Sequence, residues 1–432
     1  MLEVILKENL DKSSILNIST ENDINLCLDF RANPNLVTKY YNEGLSYNRG
    51  VDFCVLVDKS TSRLDEIKDA IFSLVPSMKQ NDTISLVTFS DYAEVVINKL
   101  GKSDINVILA KLDNGISHDS SKSNLTLGLK EARLILENCS DDRVKRVMLV
   151  SGLSRRTSEE EEMLIEEELK LYKKISITLD TLAVGDNSNN VFLDKIASKL
   201  GGVCHIATML TNMNISIKES LVFAQNTILS NVKLKIKFTK FFRIREMYRG
   251  YPANSYLGQV YSDDEIIIDV NNIEFNKKYS YYLNIVSKLP KDGYEGKFKM
   301  AEVEMQYSIP SISGEEIIIT TPKKVFVTFT SNEREVIKNT EVIRGLSEAK
   351  IKMYEQRAQE AKLQGNDIVV MNAYTEIIEL CTELGEIDLM RAYKSLLDEH
   401  KENGEWNEDK IRMLSEESSK TSNSPYLPMP SL

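Results

Sequence analysis

Apolar positions along this chain follow three different rhythms, and each predicts a different kind of structure. From residue 51 to about 227, short apolar runs alternate with helical patterns. "VDFCVLVD" (51–58), "TISLVTFS" (83–90), "YAEVVI" (92–97), "VKRVMLVSG" (144–152), "ISITLDTLAVG" (175–185) and "GVCHIA" (202–207) read as strands. Helices are expected over 63–78, 103–112, 124–138, 158–173, 190–200 and 213–227. In the first of these, Leu64, Ile67, Ala70, Ile71 and Leu74 share one face. Strands apolar at nearly every position are buried on both sides, so the pattern predicts a mainly parallel sheet with helices on each face.

The second rhythm is strand after strand. Between 228 and 330, "NVKLKIKF", "SYLGQVYS", "EIIIDV", "KYSYYLNIVSKL", "KFKMAEVEMQYSI", "EEIIITTP" and "KKVFVTFT" are spaced by turn residues, which predicts a β-sandwich. "KLKIKFTKFFRIR" (233–245) reads as a strand with one solvated basic face. Within 1–47, "SSILNIST" and "INLCLDFRA" are two further strands, followed by a polar link, "KYYNEGLSYNRG". They have no helical partners and are expected to join the sandwich, making 48–227 an insertion. The third rhythm is helical, from 331 to 418. Gly365, Gly385 and Gly404 divide it into three or four antiparallel helices. Leu346, Ala349, Ile351, Tyr354, Ala358 and Ala361 form an apolar stripe whose default reading is core, with an oligomerisation surface as the alternative. Trp406 either anchors the last helix or is a contact residue. The Ser/Pro-rich stretch 419–432 is expected to be disordered.

A length of 432 residues suits two or three domains, and 42% hydrophobic with 28% charged residues suits a globular protein. The net charge of −11 argues against nucleic acid or an anionic membrane as the main partner. No apolar run approaches the roughly 18 residues of a membrane span, and no signal-peptide pattern opens the chain. The five cysteines (Cys27, Cys54, Cys139, Cys204, Cys381) are scattered and odd in number. They read as reduced thiols of a cytoplasmic protein. None of them, and none of His118, His205 and His400, falls at metal-site spacing.

The chemistry concentrates where the first strand of the α/β region ends, in "DKSTS". Asp58, Ser60 and Ser62 alternate there, and open parallel sheets bind ligands at the carboxyl ends of their strands. A helix cap, a nucleophile and a divalent-cation site are the three candidate roles. A serine nucleophile needs an oriented base. Only His118 is placed near the same edge. The chain has no G-x-x-x-x-G-K-[ST] phosphate loop, so a non-enzymatic role is expected.

Residues 51–90 resemble the opening of a von Willebrand factor A (VWA) domain, in which an apolar strand ends in D-x-S-x-S. "SKSNLTLGLKEA" (121–132) is similar to that family's third-loop helix start, and "VGDNSNNVFLDKIASKLGGVCHIA" (184–207) to its closing strand–helix–strand. The resemblance covers roughly 48–222. The order of strands, VWA domain, sandwich and helices is similar to that of bacterial proteins carrying the domain. "KIKMYEQRAQEAKLQGN" resembles a stretch of their final region. The implied fold is a doubly wound, Rossmann-like α/β sheet with an added sandwich and a C-terminal α-helical domain.

The resemblance also implies a metal-ion-dependent adhesion site (MIDAS) that holds Mg²⁺ for a partner's carboxylate to complete. By position its ligands are Asp58, Ser60, Ser62, Ser123 (the family's threonine) and Ser151. The last stands where the family has an aspartate, so the site is partly degenerate. Thr61 replaces the family's small glycine, and Arg63, if it faces the cluster, opposes a cation. Asp119 and Asp91 are the carboxylates placed to compensate. The expected function is a protein-interaction module that binds a partner through this sheet edge. The alternatives are a structural or assembly subunit with a vestigial site and an accessory subunit of an AAA+ ATPase. The partner's identity and the oligomeric state stay open.

Overall fold

The computed structural model describes residues 4–17, 21–42, 49–61, 63–119, 123–140, 142–152, 158–185, 189–207, 210–262, 264–288, 295–311 and 314–420. The chain opens with β1 (Val4–Leu10), β2 (Ile15–Leu16) and β3 (Glu21–Ala32), then a helix, α1 (Asn35–Asn42). That helix takes up part of the stretch read from sequence as a polar link.

The α/β layer follows. It comprises β4 (Val51–Asp58), α2 (Leu64–Leu74), β5 (Thr83–Phe89), β6 (Ala93–Gly101), α3 (Ile105–Gly115) and α4 (Leu125–Glu137). It continues through β7 (Val144–Ser151), α5 (Glu159–Lys174), β8 (Thr178–Val184), α6 (Asn190–Lys199), β9 (Cys204–Ala207) and α7 (Leu210–Gln225). The sheet order is β6-β5-β4-β7-β8-β9, parallel except for β6 against β5. Every residue of β4, β7 and β8 is buried. The two-residue period explains why: Val55 and Val57 pack with Ile67, Ile71 and Leu221 on one face. Cys54 and Leu56 pack with Leu129, Leu169 and Leu193 on the other. Of the charges within these buried strands, two pair with each other across neighbouring strands. Arg146 donates from Nε to Asp180 Oδ2 at 2.7 Å and from Nη2 to Oδ1 at 3.0 Å.

Eight strands make most of the sandwich: β10 (Thr227–Phe238), β11 (Phe242–Arg249), β12 (Ser255–Ser262), β13 (Glu265–Glu274), β14 (Tyr279–Lys288), β15 (Gly296–Ser311), β16 (Gly314–Ile319) and β17 (Lys323–Thr330). One sheet runs β1-β3-β14-β11-β12 and the other β13-β10-β15-β17-β2, with β16 paired to β15. Residues 233–245, read from sequence as one strand, are two strands in different sheets. The break is a turn in which Phe242 N–H donates to the Thr239 carbonyl at 2.9 Å and the Thr239 hydroxyl to the Lys299 carbonyl at 2.8 Å. Where the chain leaves and re-enters the sandwich, Asp82 ties both crossings together. It accepts from Val51 N–H at 3.1 Å and from Gln225 Nε2 at 2.7 Å.

Four helices close the described chain: α8 (Thr340–Leu363), α9 (Asp367–Leu384), α10 (Ile387–Asn403) and α11 (Glu408–Ser419). Gly365, Gly385 and Gly404 lie just past the first three with φ of +70°, +75° and +74°, the left-handed geometry in which glycine stops a helix without strain. The α8 stripe is core, but of two cores. Leu346 and Ala349 pack on Tyr248 and Tyr282 of the sandwich, whereas Ile351, Ala358 and Ala361 pack among the helices. Trp406 anchors α11: it stacks on His400 with ring centroids 3.7 Å apart and donates to Asp367 Oδ1 at 3.0 Å. Among the described residues no helix is long and apolar enough to cross a membrane.

Candidate functional site at the strand tips

Strand order reverses at β4. From it the chain first moves outward to β5 and β6, then returns to β7 and continues to β8 and β9. The carboxyl ends of β4 and β7 therefore flank the crevice where doubly wound sheets bind ligands. Asp58 is the last residue of β4 and Ser151 the last of β7.

Asp58 has no exposed surface, and its carboxylate accepts four hydrogen bonds. Oδ1 receives the Ser60 amide at 3.0 Å and the Ser60 hydroxyl at 2.7 Å. Oδ2 receives the hydroxyls of Ser123 at 3.1 Å and Ser151 at 2.9 Å. A carboxylate offers about four lone-pair positions, and all four are used. A buried charge of this kind is tolerable only when so satisfied. Three serines from three separate loops thus converge on one atom group. Ser62 lies outside the described residues.

Local packing brings the loops together. Lys59 N–H donates to the Phe89 carbonyl at 2.9 Å, Asp119 N–H to the Lys59 carbonyl at 3.1 Å and Asn124 N–H to the Ser90 carbonyl at 2.7 Å. Ser123 is held just ahead of α4, whose first turn is capped by the Asn124 side chain accepting from Leu127 N–H. Gly128 lets that helix sit against the sheet, since a Cβ there would stand 2.8 Å from the Phe89 ring. Thr61, the replacement for a small glycine, is buried against Gly152, where an added Cβ would approach it to 3.3 Å.

The neighbouring charges fall differently from a simple reading of their spacing. Arg63 turns away from Asp58: Nε donates to Glu66 Oε1 at 2.9 Å and Nη1 to the Ala207 carbonyl at 3.2 Å. The hydrogen bond from Arg63 holds the Glu66 carboxyl below the usual range. Asp91 is exposed and accepts from Ser90 at 3.3 Å. Asp119 accepts from the same hydroxyl at 2.8 Å and has the Lys59 ammonium 3.9 Å away. Sequence reasoning missed Lys59. Its side chain is buried, its ammonium donates to the Tyr92 hydroxyl at 3.1 Å, and it lies 4.3 Å from the centre of the Tyr92 ring. A lysine after a strand-tip aspartate reads as solvated, and only the turn after β5, which brings Tyr92 against it, says otherwise. His118 is exposed.

Among the described residues no group of three histidine, cysteine or acidic side chains is placed to hold a metal. The donor set fits a hard, oxygen-seeking cation in kind but brings one carboxylate charge. A serine that gives its proton to Asp58 keeps its lone pairs, so Ser60, Ser123 and Ser151 can each offer an oxygen while Asp58 orients them.

Residues 50–154 match the family model of the von Willebrand factor type A domain. No curated protein matches the chain. Among solved structures, a von Willebrand factor type A protein from Catenulispora acidiphila is 13% identical, with 97% of each chain covered and a TM-score of 0.75. The ArnB paralog VWA2 from Sulfolobus acidocaldarius is 13% identical over 96% of this chain and 97% of that one, with a TM-score of 0.53. A human COPII-coat protein is 9% identical, with 91% of this chain and 59% of that chain covered and a TM-score of 0.50. At such identities the likeness is one of fold, and the family match covers the strands and helices that carry Asp58, Ser60, Ser123 and Ser151. Over residues 50–154 the chain is therefore similar to a von Willebrand factor type A domain, in sequence pattern and in fold.

Proposed function

We propose that this protein is a non-catalytic interaction subunit whose point of contact is the carboxyl edge of its VWA sheet. Asp58, Ser60, Ser62, Ser123 and Ser151 would hold Mg²⁺ there, with the serine oxygens facing the ion and Asp58 supplying the negative charge behind them. When bound, the ion supplies a position that a partner's aspartate or glutamate completes. The observation that carries this reading is the convergence of three hydroxyls, from loops distant in sequence, on a single buried carboxylate at the switch point of the sheet. A structural network needs no such placement. The decisive experiment is capture of partner proteins by the intact chain with Mg²⁺ and with EDTA, repeated with Asp58→Asn. Retention that is equal in all three conditions rejects the reading.

A second reading has its own observation. The Asp58 carboxylate is already saturated with hydrogen bonds. An inert strand tip would leave the sandwich and helices to make the contacts of an assembly subunit. The whole-chain likeness to proteins that include a coat component is in keeping with this. The exposed side chains of Ile317 and Ile319 on β16 are where such a contact is best probed. Capture that ignores EDTA but fails with Ile317→Lys and Ile319→Lys favours the second reading.

A further inference from the structure

With serine at 151, a second negative charge at the strand tips would have to come from Asp119 or Asp91, the loop carboxylates beside them. Asp91 is exposed and screened by water. Asp119 is the better placed. Its amide donates to the carbonyl of Lys59, the neighbour of Asp58, at 3.1 Å, and its Oδ2 takes the Ser90 hydroxyl at 2.8 Å. The Ser90 carbonyl in turn accepts from the N–H of Asn124, the neighbour of Ser123, at 2.7 Å. Asp119 thus adjoins the loops that carry two of the converging oxygens.

The same carboxylate faces Lys59. Asp119 Oδ2 is 3.9 Å from Lys59 Nζ, and among the described residues it is the one acid within 4 Å of that ammonium. Only 4% of Lys59 is exposed, so water does little to screen it. Tyr92 closes one side, with its hydroxyl 3.1 Å from Nζ and its ring centre 4.3 Å away. A phenol solvates a cation but brings no charge of its own. Packing does not call for an amine here, since a methionine fills similar space without burying a charge. A buried ammonium holds its counter-ion, because separating the pair leaves an unbalanced charge out of water. The pair sums to zero, and the strand tip keeps the single charge of Asp58.

We propose that Lys59 makes ion binding at the strand tips conditional on the partner. It cancels Asp119, so Mg²⁺ alone is held weakly, and the partner's carboxylate brings the charge that completes the site. This inference rests on the strand-tip reading above and adds a residue to it. The four hydrogen bonds on Asp58 are then the resting arrangement of the site before a partner arrives. Ion and partner are retained together, and neither is kept without the other.

Calorimetric titration of the full chain with MgCl₂ alone tests this, with Ser151→Asp as the positive control. Lys59→Met releases Asp119 and is expected to bind Mg²⁺ about fivefold or more tightly than wild type, the effect of one charge about 8 Å from a dication at the dielectric of water. Lys59→Met/Asp119→Asn is expected to return to the wild-type affinity, because charge and counter-charge leave together. Lys59→Gln, which keeps a donor for Tyr92, decides the matter if Lys59→Met lowers the thermal melt. Equal affinity in wild type and the Lys59 variants, beside a tighter Ser151→Asp, overturns this proposal and leaves the strand-tip reading standing. A gain that persists in the double variant also overturns it, since Lys59 would then act without Asp119. If Ser151→Asp takes up no Mg²⁺ either, the strand-tip reading fails and this inference fails with it.

Discussion

Replacing Ser151 by aspartate tests whether the strand-tip oxygens form a cation shell. The Ser151 hydroxyl lies 2.9 Å from Asp58 Oδ2, so the new carboxylate would place its charge about 4 Å from that of Asp58. Without a cation, the repulsion is about 1 kcal/mol in bulk water and about 4 kcal/mol at an effective dielectric near 20. Ser151→Asp is therefore expected to lower stability in EDTA. With Mg²⁺ the same charge attracts a double charge, worth about 2 to 8 kcal/mol over that range. Desolvation consumes much of the upper figure, so the lower one sets the expectation, a gain of about 30-fold in Mg²⁺ affinity. Calorimetric titration with MgCl₂ reads the affinity, and urea unfolding with and without Mg²⁺ reads the stability. The signature is a variant less stable than wild type in EDTA and more stable in Mg²⁺. If Ser151→Asp binds Mg²⁺ no better than wild type, the three hydroxyls and Asp58 are a closed network and the metal-bridged reading falls.

Three further outcomes follow from the packing. Burial pushes the Glu274 carboxyl up to about 7, against hydrogen bonds from Tyr251 and Tyr279, each at 3.3 Å. Its folded value lies above the unfolded one, so the stabilisation is complete below about pH 4.5 and is lost as pH rises through about 7. Glu274→Gln should remove that slope and, above pH 8, be more stable than wild type by up to about 3 kcal/mol, as read by urea unfolding across pH. Glu355 bridges α8 to α11: it takes the buried Lys352 ammonium at 2.6 Å and the Ser418 hydroxyl at 2.6 Å. Glu355→Ala should cost about 3–5 kcal/mol by stranding Lys352, and the pair Lys352→Met/Glu355→Leu should recover most of it, which equilibrium unfolding will show. At Gly202 a Cβ would stand 1.9 Å from the Leu179 carbonyl oxygen, so Gly202→Ala should force β9 off β8 and lower the melting temperature sharply.

The parts of the fold that were legible in the sequence are those where one residue's environment repeats along an element. β4, β7 and β8 are apolar on both faces and announced a covered parallel sheet, and the glycines at 365, 385 and 404 marked helix ends by their need for positive φ. Crossings between sheets were not legible. Residues 233–245 keep their alternation across the turn at Thr239, so the pattern carries no sign that Phe242 begins a strand in the other sheet. The strand-tip position of Asp58 follows from the end of its strand, whereas Ser123 and Ser151 were expected beside it from the family resemblance, and the structure brings both hydroxyls to that carboxylate. The directions of Arg63 and Lys59 depend on Glu66 and on Tyr92, partners that no periodicity identifies.

The double crossing at Asp82 has a mechanical consequence. A domain hung from its neighbour by a single peptide can swivel, whereas this one is suspended at two points whose cords are knotted together by one carboxylate. Torque from a macromolecule docked at Ser60 or Ser123, as proposed above, would therefore meet two attachments in place of a lone hinge. It would be passed into the sandwich and on to α8, as through a lever rather than along a pair of beads on a string.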